Sequence, residues 1–249
     1  MFTVKDLLQT DLPDVRVGIG RGTDSKHVEN SVHALNVKTV KIYDDPELLV
    51  DDLFSGRIDA AVRGDMPSSE LLRILKEKAG VKELERLVIM EPKRGRTFFM
   101  APVGIDEGWT IEEKHNIVVK ALPLMKKMGA GTKIAVMSGG RKEDKGRNDT
   151  VDRTIEDAEK LVSVLRKEGY DAYDAEILIE DAVEEADLII APDGITGNLI
   201  FRTLHFIGDA VALGAPVLNI DKVFVDTSRV KTDYMDSIIL AMKLAEGKR

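Results

Sequence analysis

Short β-branched and apolar runs alternate along the chain with longer segments whose apolar residues recur at helical spacing. That alternation predicts a parallel α/β architecture, because consecutive parallel strands need a crossover long enough to hold a helix. Residues 15–20 read as the first strand, closing in the turn Gly18-Ile19-Gly20-Arg21-Gly22. A helix is expected over His27–Leu35, a strand over 39–43, a helix over Pro46–Phe54 and a strand over 58–62. Pro67 opens a further helix in which Leu71, Leu72, Leu75 and Ala79 share one face.

The second half repeats the pattern. Residues 87–90 and 97–101 read as strands around the basic bend Glu91-Pro92-Lys93-Arg94-Gly95-Arg96. Thr110 and Glu113 have the spacing of a capping box, which predicts a long helix ending at Met128. Residues 133–137 form an apolar run expected to be a buried strand, and 138–149 the longest polar loop. Helices are expected over 150–167, 195–208 and 233–245, with a strand over 187–191. No internal repeat and no low-complexity linker interrupts the chain, so any lobes should be interleaved in sequence.

Charge and composition narrow the function. The formal net charge is −8 over 249 residues, opposite to what a surface tracking a nucleic-acid backbone requires. There are no cysteines, which excludes disulfides, thiolate nucleophiles and cysteine-ligated zinc. The four histidines, His27, His33, His115 and His205, show no metal-ligand spacing, and no metal is expected. No apolar run approaches the roughly 18 residues of a membrane span. The start MFTVKDLLQTDLPD lacks the basic and apolar regions of a secretory signal. The expectation is a cytoplasmic protein that engages neither membrane nor nucleic acid.

Four segments carry candidate chemistry. The Gly18–Gly22 turn has glycines that would let backbone N–H groups approach a phosphate at a helix start, and equally suits a plain reversal. Ser138-Gly139-Gly140 follows an apolar strand, and small residues there, next to Arg141 and Lys142, suit an anion site. The segment Ala191-Pro192-Asp193-Gly194-Ile195-Thr196-Gly197-Asn198 offers side-chain donors at a helix start, in a turn richer in special residues than capping needs. In Asp226-Thr227-Ser228-Arg229, the arginine offers a permanently charged fork for phosphate or carboxylate, and Ser228 a donor for a developing oxyanion.

Together these segments resemble the phosphate acetyl/butyryltransferase superfamily across almost the whole chain. Four blocks match in order: GRGTDSKHVENSVHAL; DAAVRGDMPSSELLR, from Asp59 to Arg73; APDGITGN; and DTSR. Within that superfamily, the stretch DGITGNLIFRTLHFIG most resembles the methyltransferase-related group known as methanogenesis marker protein 4. The resemblance implies a two-lobed, mostly parallel three-layer α/β/α fold of the isocitrate/isopropylmalate-dehydrogenase type. It implies a first lobe of 1–84 plus 226–249, a second of 85–225, a ligand cleft between them, and a homodimer.

By the same resemblance, Ser228 and Arg229 match the pair that steadies an acyl phosphate, and Asp233 or Asp236 the base that takes a proton from the coenzyme A thiol. Arg73 matches a first-lobe arginine expected to face Arg229 across a bound anion. Asp193, Thr196, Gly197 and Asn198 match the turn that lines the cleft. Arg63 and Gly64 stand where the family has a serine and glycine, Val230 replaces the glycine usual after Ser-Arg, and a charged loop replaces the small-residue loop after strand 133–137. A small phosphate-bearing or acidic ligand is expected, with coenzyme A or another phosphate-bearing cosubstrate and no tightly bound cofactor. Three functions follow as expectations: acyl or phosphoacyl transfer, a methyl-transfer component of methanogenic one-carbon metabolism, and a non-catalytic ligand-binding member. A dehydrogenase is disfavoured, since neither an acidic metal cluster nor a suitable Lys-Tyr arrangement is evident.

Overall fold

The computed structural model describes residues 3–9, 11–23 and 26–246. In chain order the first run is α1 (Val4–Gln9), β1 (Val17–Gly20), α2 (His27–Leu35), β2 (Val40–Tyr43), α3 (Pro46–Phe54), β3 (Ala60–Val62) and α4 (Ser68–Ala79). A second run follows: β4 (Val88–Glu91), β5 (Phe98–Ala101), α5 (Ile111–Lys127), β6 (Ile134–Met137), α6 (Asp149–Lys167), β7 (Ala172–Glu176), α7 (Ile179–Glu185), β8 (Leu188–Ile190) and α8 (Gly194–Phe206). The chain ends with β9 (Val211–Pro216), β10 (Val223–Asp226) and α9 (Met235–Ala245). No described helix is long and apolar enough to cross a membrane.

These elements form two compact units: Lys5–Leu84 with the segment from Leu213 onward, and a second built on Glu85–Ala212. Residues 213–225, expected in the second lobe, lie with the first. The reason is pairing: β10 is parallel to β3, with Val223 opposite Ala60, so the returning chain completes the first unit's sheet.

In the first unit the strands run in the order β2-β1-β3-β10-β9. The first four are parallel and β9 is antiparallel to β10. The chain moves from β1 to β2 through α2, then back past β1 to β3 through α3. Right-handed crossovers in opposite directions place α2 and α3 on opposite faces. Accordingly α9 packs on β1, β3 and β10 beside α2, whereas α3 packs on β1 and β3 beside α4. With both faces covered, β1, β3 and β10 are buried throughout, which is why β1 and β3 read as apolar runs without alternation. One core gathers Tyr43, Leu49, Leu53, Leu71, Leu75 and Phe224.

In the second unit the order is β4-β5-β8-β6-β7. β5, β8, β6 and β7 are parallel, and β4 is antiparallel to β5. The Thr110–Glu113 capping box forms as its spacing predicts. The polar stretch after β6 is shorter as a loop than expected: it holds a 3-10 turn at Lys142–Asp144, and Asn148 caps α6 one residue earlier. Parallel strands bring their carboxyl ends to one edge of each sheet, where ligands of open α/β folds bind.

Candidate functional site

At that edge of the first unit, the loops after β1, β3 and β10 are locked together. Gly64 has a φ of +63°, and a Cβ there would stand 1.9 Å from the Gly20 carbonyl oxygen. Only glycine allows the β3 exit to lie on the β1 exit. The Gly22 N–H donates to Asp65 Oδ1 at 2.6 Å. Arg63 is buried, donating its Nε–H to Asp226 Oδ1 at 2.5 Å and Nη1 to the Met66 carbonyl at 3.1 Å. The same Asp226 oxygen accepts the Thr227 N–H at 2.9 Å, and the Thr227 hydroxyl donates to the Gly64 carbonyl at 2.7 Å.

This frame presents the turn that follows β10. Ser228 is half-buried and Arg229 exposed, and the Ser228 carbonyl accepts the hydroxyl of fully buried Tyr234 at 3.0 Å. Tyr234 N–H donates to Ser31 Oγ at 2.9 Å. Asp233 Oδ1 takes the Met235 N–H at 2.8 Å and faces Ser31 Oγ at 3.3 Å, which fixes the start of α9. Lys231 reaches inward, its Nζ donating to the buried Ser237 hydroxyl at 3.3 Å.

Burial sets the proton affinities here. It lowers the Lys231 ammonium below the usual lysine range, opposed by the charges of Asp236 and Asp233. It raises Asp236 above the usual carboxylate range, opposed by Lys231 and reinforced by Asp233. Tyr234 is pushed up by burial and further by the Asp65 carboxylate, while Arg63 pulls it down. Arg21, in the glycine turn, donates to both Asp44 oxygens at 2.7 and 2.9 Å and pairs with Glu29, so its charge is matched locally. Asp24 and Ser25 of that block lie outside the described residues.

In the second unit the polar residues of the turn after β8 serve packing. Asp193 caps α8, its two oxygens accepting the Thr196 N–H at 2.8 Å and hydroxyl at 3.1 Å. A Cβ on Gly197 would stand 1.9 Å from the Pro102 carbonyl, and Asn198 Nδ2 donates to the Val103 carbonyl at 2.8 Å. The special residues thus seat α8 directly on the chain leaving β5. Lys114 of α5, buried, donates to the Pro192 carbonyl at 3.0 Å, and burial lowers its proton affinity. Beyond β6, Ser138 Oγ donates to the Gly140 carbonyl at 2.8 Å and Gly139 N–H to Thr154 Oγ1 at 2.8 Å. Two groups expected to meet an anion are therefore engaged within the protein.

The sequence-derived residues fall in both units. Arg63, Gly64, Ser228, Arg229, Asp233 and Asp236 gather at one sheet edge of the first unit. Arg73 does not join them at the turns: it lies in the middle of α4, more than half exposed, with Nη1 on Glu77 Oε1 at 2.7 Å. The i,i+4 spacing makes that pair local to the helix, and the arginine buried at the strand ends is Arg63. Ser138, Gly139, Gly140, Asp193, Thr196, Gly197 and Asn198 belong to the second unit. Val230 is 58% exposed, its side chain in solvent rather than crowding the backbone. Asp65, Lys231, Tyr234 and Lys114 were not singled out by sequence. Only Asp65 had a local signal, directly after the Arg63-Gly64 turn.

Comparison with known proteins places this geometry. A family model described as phosphate acetyl/butaryl transferase matches residues 50–242. A candidate methyltransferase mtx subunit X of Methanosarcina mazei is 45% identical over 203 residues, covering 81% of this chain and 72% of the relative. A phosphotransacetylase of Streptococcus pyogenes superposes with a TM-score of 0.71 at 16% identity, covering 97% of each chain. An isocitrate dehydrogenase of Methylococcus capsulatus shares the fold at 0.52 and 11% identity, covering 93% of this chain and 83% of that one. The fold is α/β, mostly parallel and of the isocitrate-dehydrogenase type, and the relatives support a transferase-like role. The chain belongs to the phosphate acetyl/butaryl transferase family, beside the mtx subunit X proteins of methanogens.

Proposed function

We propose that the protein transfers an acyl group between phosphate and a thiol, with the phosphate held at the turn of Ser228 and Arg229 and coenzyme A as the thiol. The observation that carries this reading is the placement of half-buried Asp236 and Lys231 beside that turn, each within the field of the other's charge. A carboxylate whose proton affinity burial raises above the ordinary carboxylate range is a stronger base for a thiol proton than an exposed one. Asp236 removes the proton, the thiolate sulfur bonds to the acyl carbon, and the carbon–oxygen bond to phosphate breaks. The electron pair leaves on phosphate, whose charge Arg229 offsets. A cytoplasmic setting belongs to the same reading.

The test is acyl transfer from acetyl phosphate to coenzyme A by Arg229→Ala. The expected loss is about 10²–10³-fold with an unchanged melting temperature, since Arg229 is exposed. An unaltered rate overturns the proposal.

A methyl-transfer role is the second reading, favoured by the name of the 45% identical relative. Incubation with methylated pterin, corrinoid and thiol carriers tests it, and absence of both binding and transfer removes it.

A homodimer completes the proposal. Within α8 only Gly194 and Gly197 are buried. Ile195, Leu199 and Phe206 of this helix, and Ile207 after it, are exposed. An exposed apolar patch of that kind suits a partner surface.

A further inference from the structure

Asp65 is 5% exposed, and its Oδ2 accepts no hydrogen bond. A buried carboxylate oxygen without a donor is costly, and native proteins rarely keep one without use. The carboxylate offers about four acceptor positions, and the structure fills one, with the Gly22 N–H on Oδ1. The neighbouring donors are turned elsewhere. Arg63, two positions earlier, gives Nε to Asp226 and Nη1 to the Met66 carbonyl. Tyr234, whose hydroxyl lies within the field of the Asp65 charge, gives its proton to the Ser228 carbonyl.

Backbone geometry locates this acceptor. The carbonyl of Gly64, directly before Asp65, accepts the hydroxyl of Thr227, directly before Ser228, at 2.7 Å, so the Asp65 carboxylate lies close to the turn proposed to hold phosphate. We infer that the ligand bound there carries a hydrogen-bond donor, a hydroxyl or an ammonium near its phosphate, and that Asp65 Oδ2 receives it. Asp65 is then a specificity-determining residue, and the substrate class is a hydroxylated or amino-bearing phosphate ester or acyl phosphate. The inference rests on the phosphate reading above. It adds a second recognition point to it, since a simple alkyl phosphate would leave the carboxylate oxygen without a donor.

Three phosphates on one carbon skeleton isolate this contact: glycerol 3-phosphate, 3-aminopropyl phosphate and n-propyl phosphate. Their affinities are measured by titration calorimetry, with inorganic phosphate as reference, on the wild-type chain and on Asp65→Asn. The variant keeps an acceptor for Gly22 and replaces the other oxygen with a donor. Wild type should bind glycerol 3-phosphate or 3-aminopropyl phosphate at least about tenfold more tightly than n-propyl phosphate, the scale of a hydrogen bond to a charged group. Asp65→Asn should erase that preference, bind inorganic phosphate within about twofold of wild type, and melt no lower.

Equal binding of the three esters by wild type overturns the inference, and so does a preference that persists in Asp65→Asn. The wild-type comparison needs no variant, so it remains decisive if Asp65→Asn misfolds. Preference for the donor-bearing esters without inorganic phosphate binding keeps the Asp65 assignment and overturns the phosphate reading. Failure of every probe to bind overturns both.

Discussion

Arg63 and Asp226, 163 positions apart in sequence, form a buried ion pair of 2.5 Å at the carboxyl ends of adjacent parallel strands. The two strand ends are also joined by hydrogen bonds: the Arg63 N–H donates to the Val225 carbonyl, and the Thr227 hydroxyl donates to the Gly64 carbonyl. The pair positions Ser228 and Arg229 rather than presenting charge to a ligand. Arg63→Met should therefore destabilise the fold by about 3–5 kcal/mol, because it removes the cation from a buried carboxylate. The double variant Arg63→Met with Asp226→Leu should recover most of that loss in denaturant unfolding. Additive losses would show that the two residues act independently.

Asp236 offers a test that separates chemistry from structure. Burial raises its folded-state proton affinity above the ordinary carboxylate value of 3.8. The folded state then binds more protons than the unfolded one. The stability from this group is present at acid pH and is lost as pH rises through the folded value. Asp236→Asn should remove that loss, holding its melting temperature better than wild type as pH rises above about 4. Acyl transfer by the same variant should fall steeply at all pH values. A parallel drop in melting temperature at pH 7 would assign Asp236 a structural role instead.

The acid limb of stability should come from Asp52. Its carboxylate accepts the Tyr43 hydroxyl at 2.6 Å, Arg57 Nε at 2.5 Å and Lys41 Nζ at 3.3 Å. Led by the tyrosine hydrogen bond, these hold it down from 3.8 to about 2. A depressed carboxylate stabilises above its unfolded value, and that stability is lost as pH falls from about 4 to about 2. Asp52→Asn should flatten the pH dependence in that window while lowering stability at neutral pH. An unchanged slope would show that other carboxylates dominate acid unfolding.

The apolar face of α8 should govern oligomeric state. Leu199 and Ile207 are 61% and 79% exposed. The double variant Leu199→Glu and Ile207→Glu should shift light-scattering mass from dimer to monomer without lowering monomer stability by more than about 0.5 kcal/mol, as for ordinary surface changes. A wild-type mass of one chain, or a dimer that survives both glutamates, excludes this surface as the interface.

Local signals carried much of the architecture. The Thr110–Glu113 spacing, Pro46 at a helix start and the apolar face of Leu71 and Leu75 each bear on one element, and those helices form nearly where expected. The Ser228-Arg229 pair showed in sequence only as residue types able to meet an anion, and its place at a sheet edge follows from β10. Other elements gave weaker local evidence. β7, with the mixed sequence AYDAE, and the four-residue β10 form through their neighbours rather than through their own pattern.

The residue string alone determined an alternating α/β chain, its main helices, the glycine turns and the residue types able to meet an anion. These follow from periodicity, capping and turn geometry, all of which act within a few positions. Tertiary structure decided which of those residues stand together. It brought Arg63 rather than Arg73 to the strand ends, used Asp193 and Asn198 to seat α8, and left Asp65 Oδ2 buried without a donor. The physical reason is that burial and hydrogen-bond partners depend on strand order, and β10 joins β3 only after the chain has built an entire second unit.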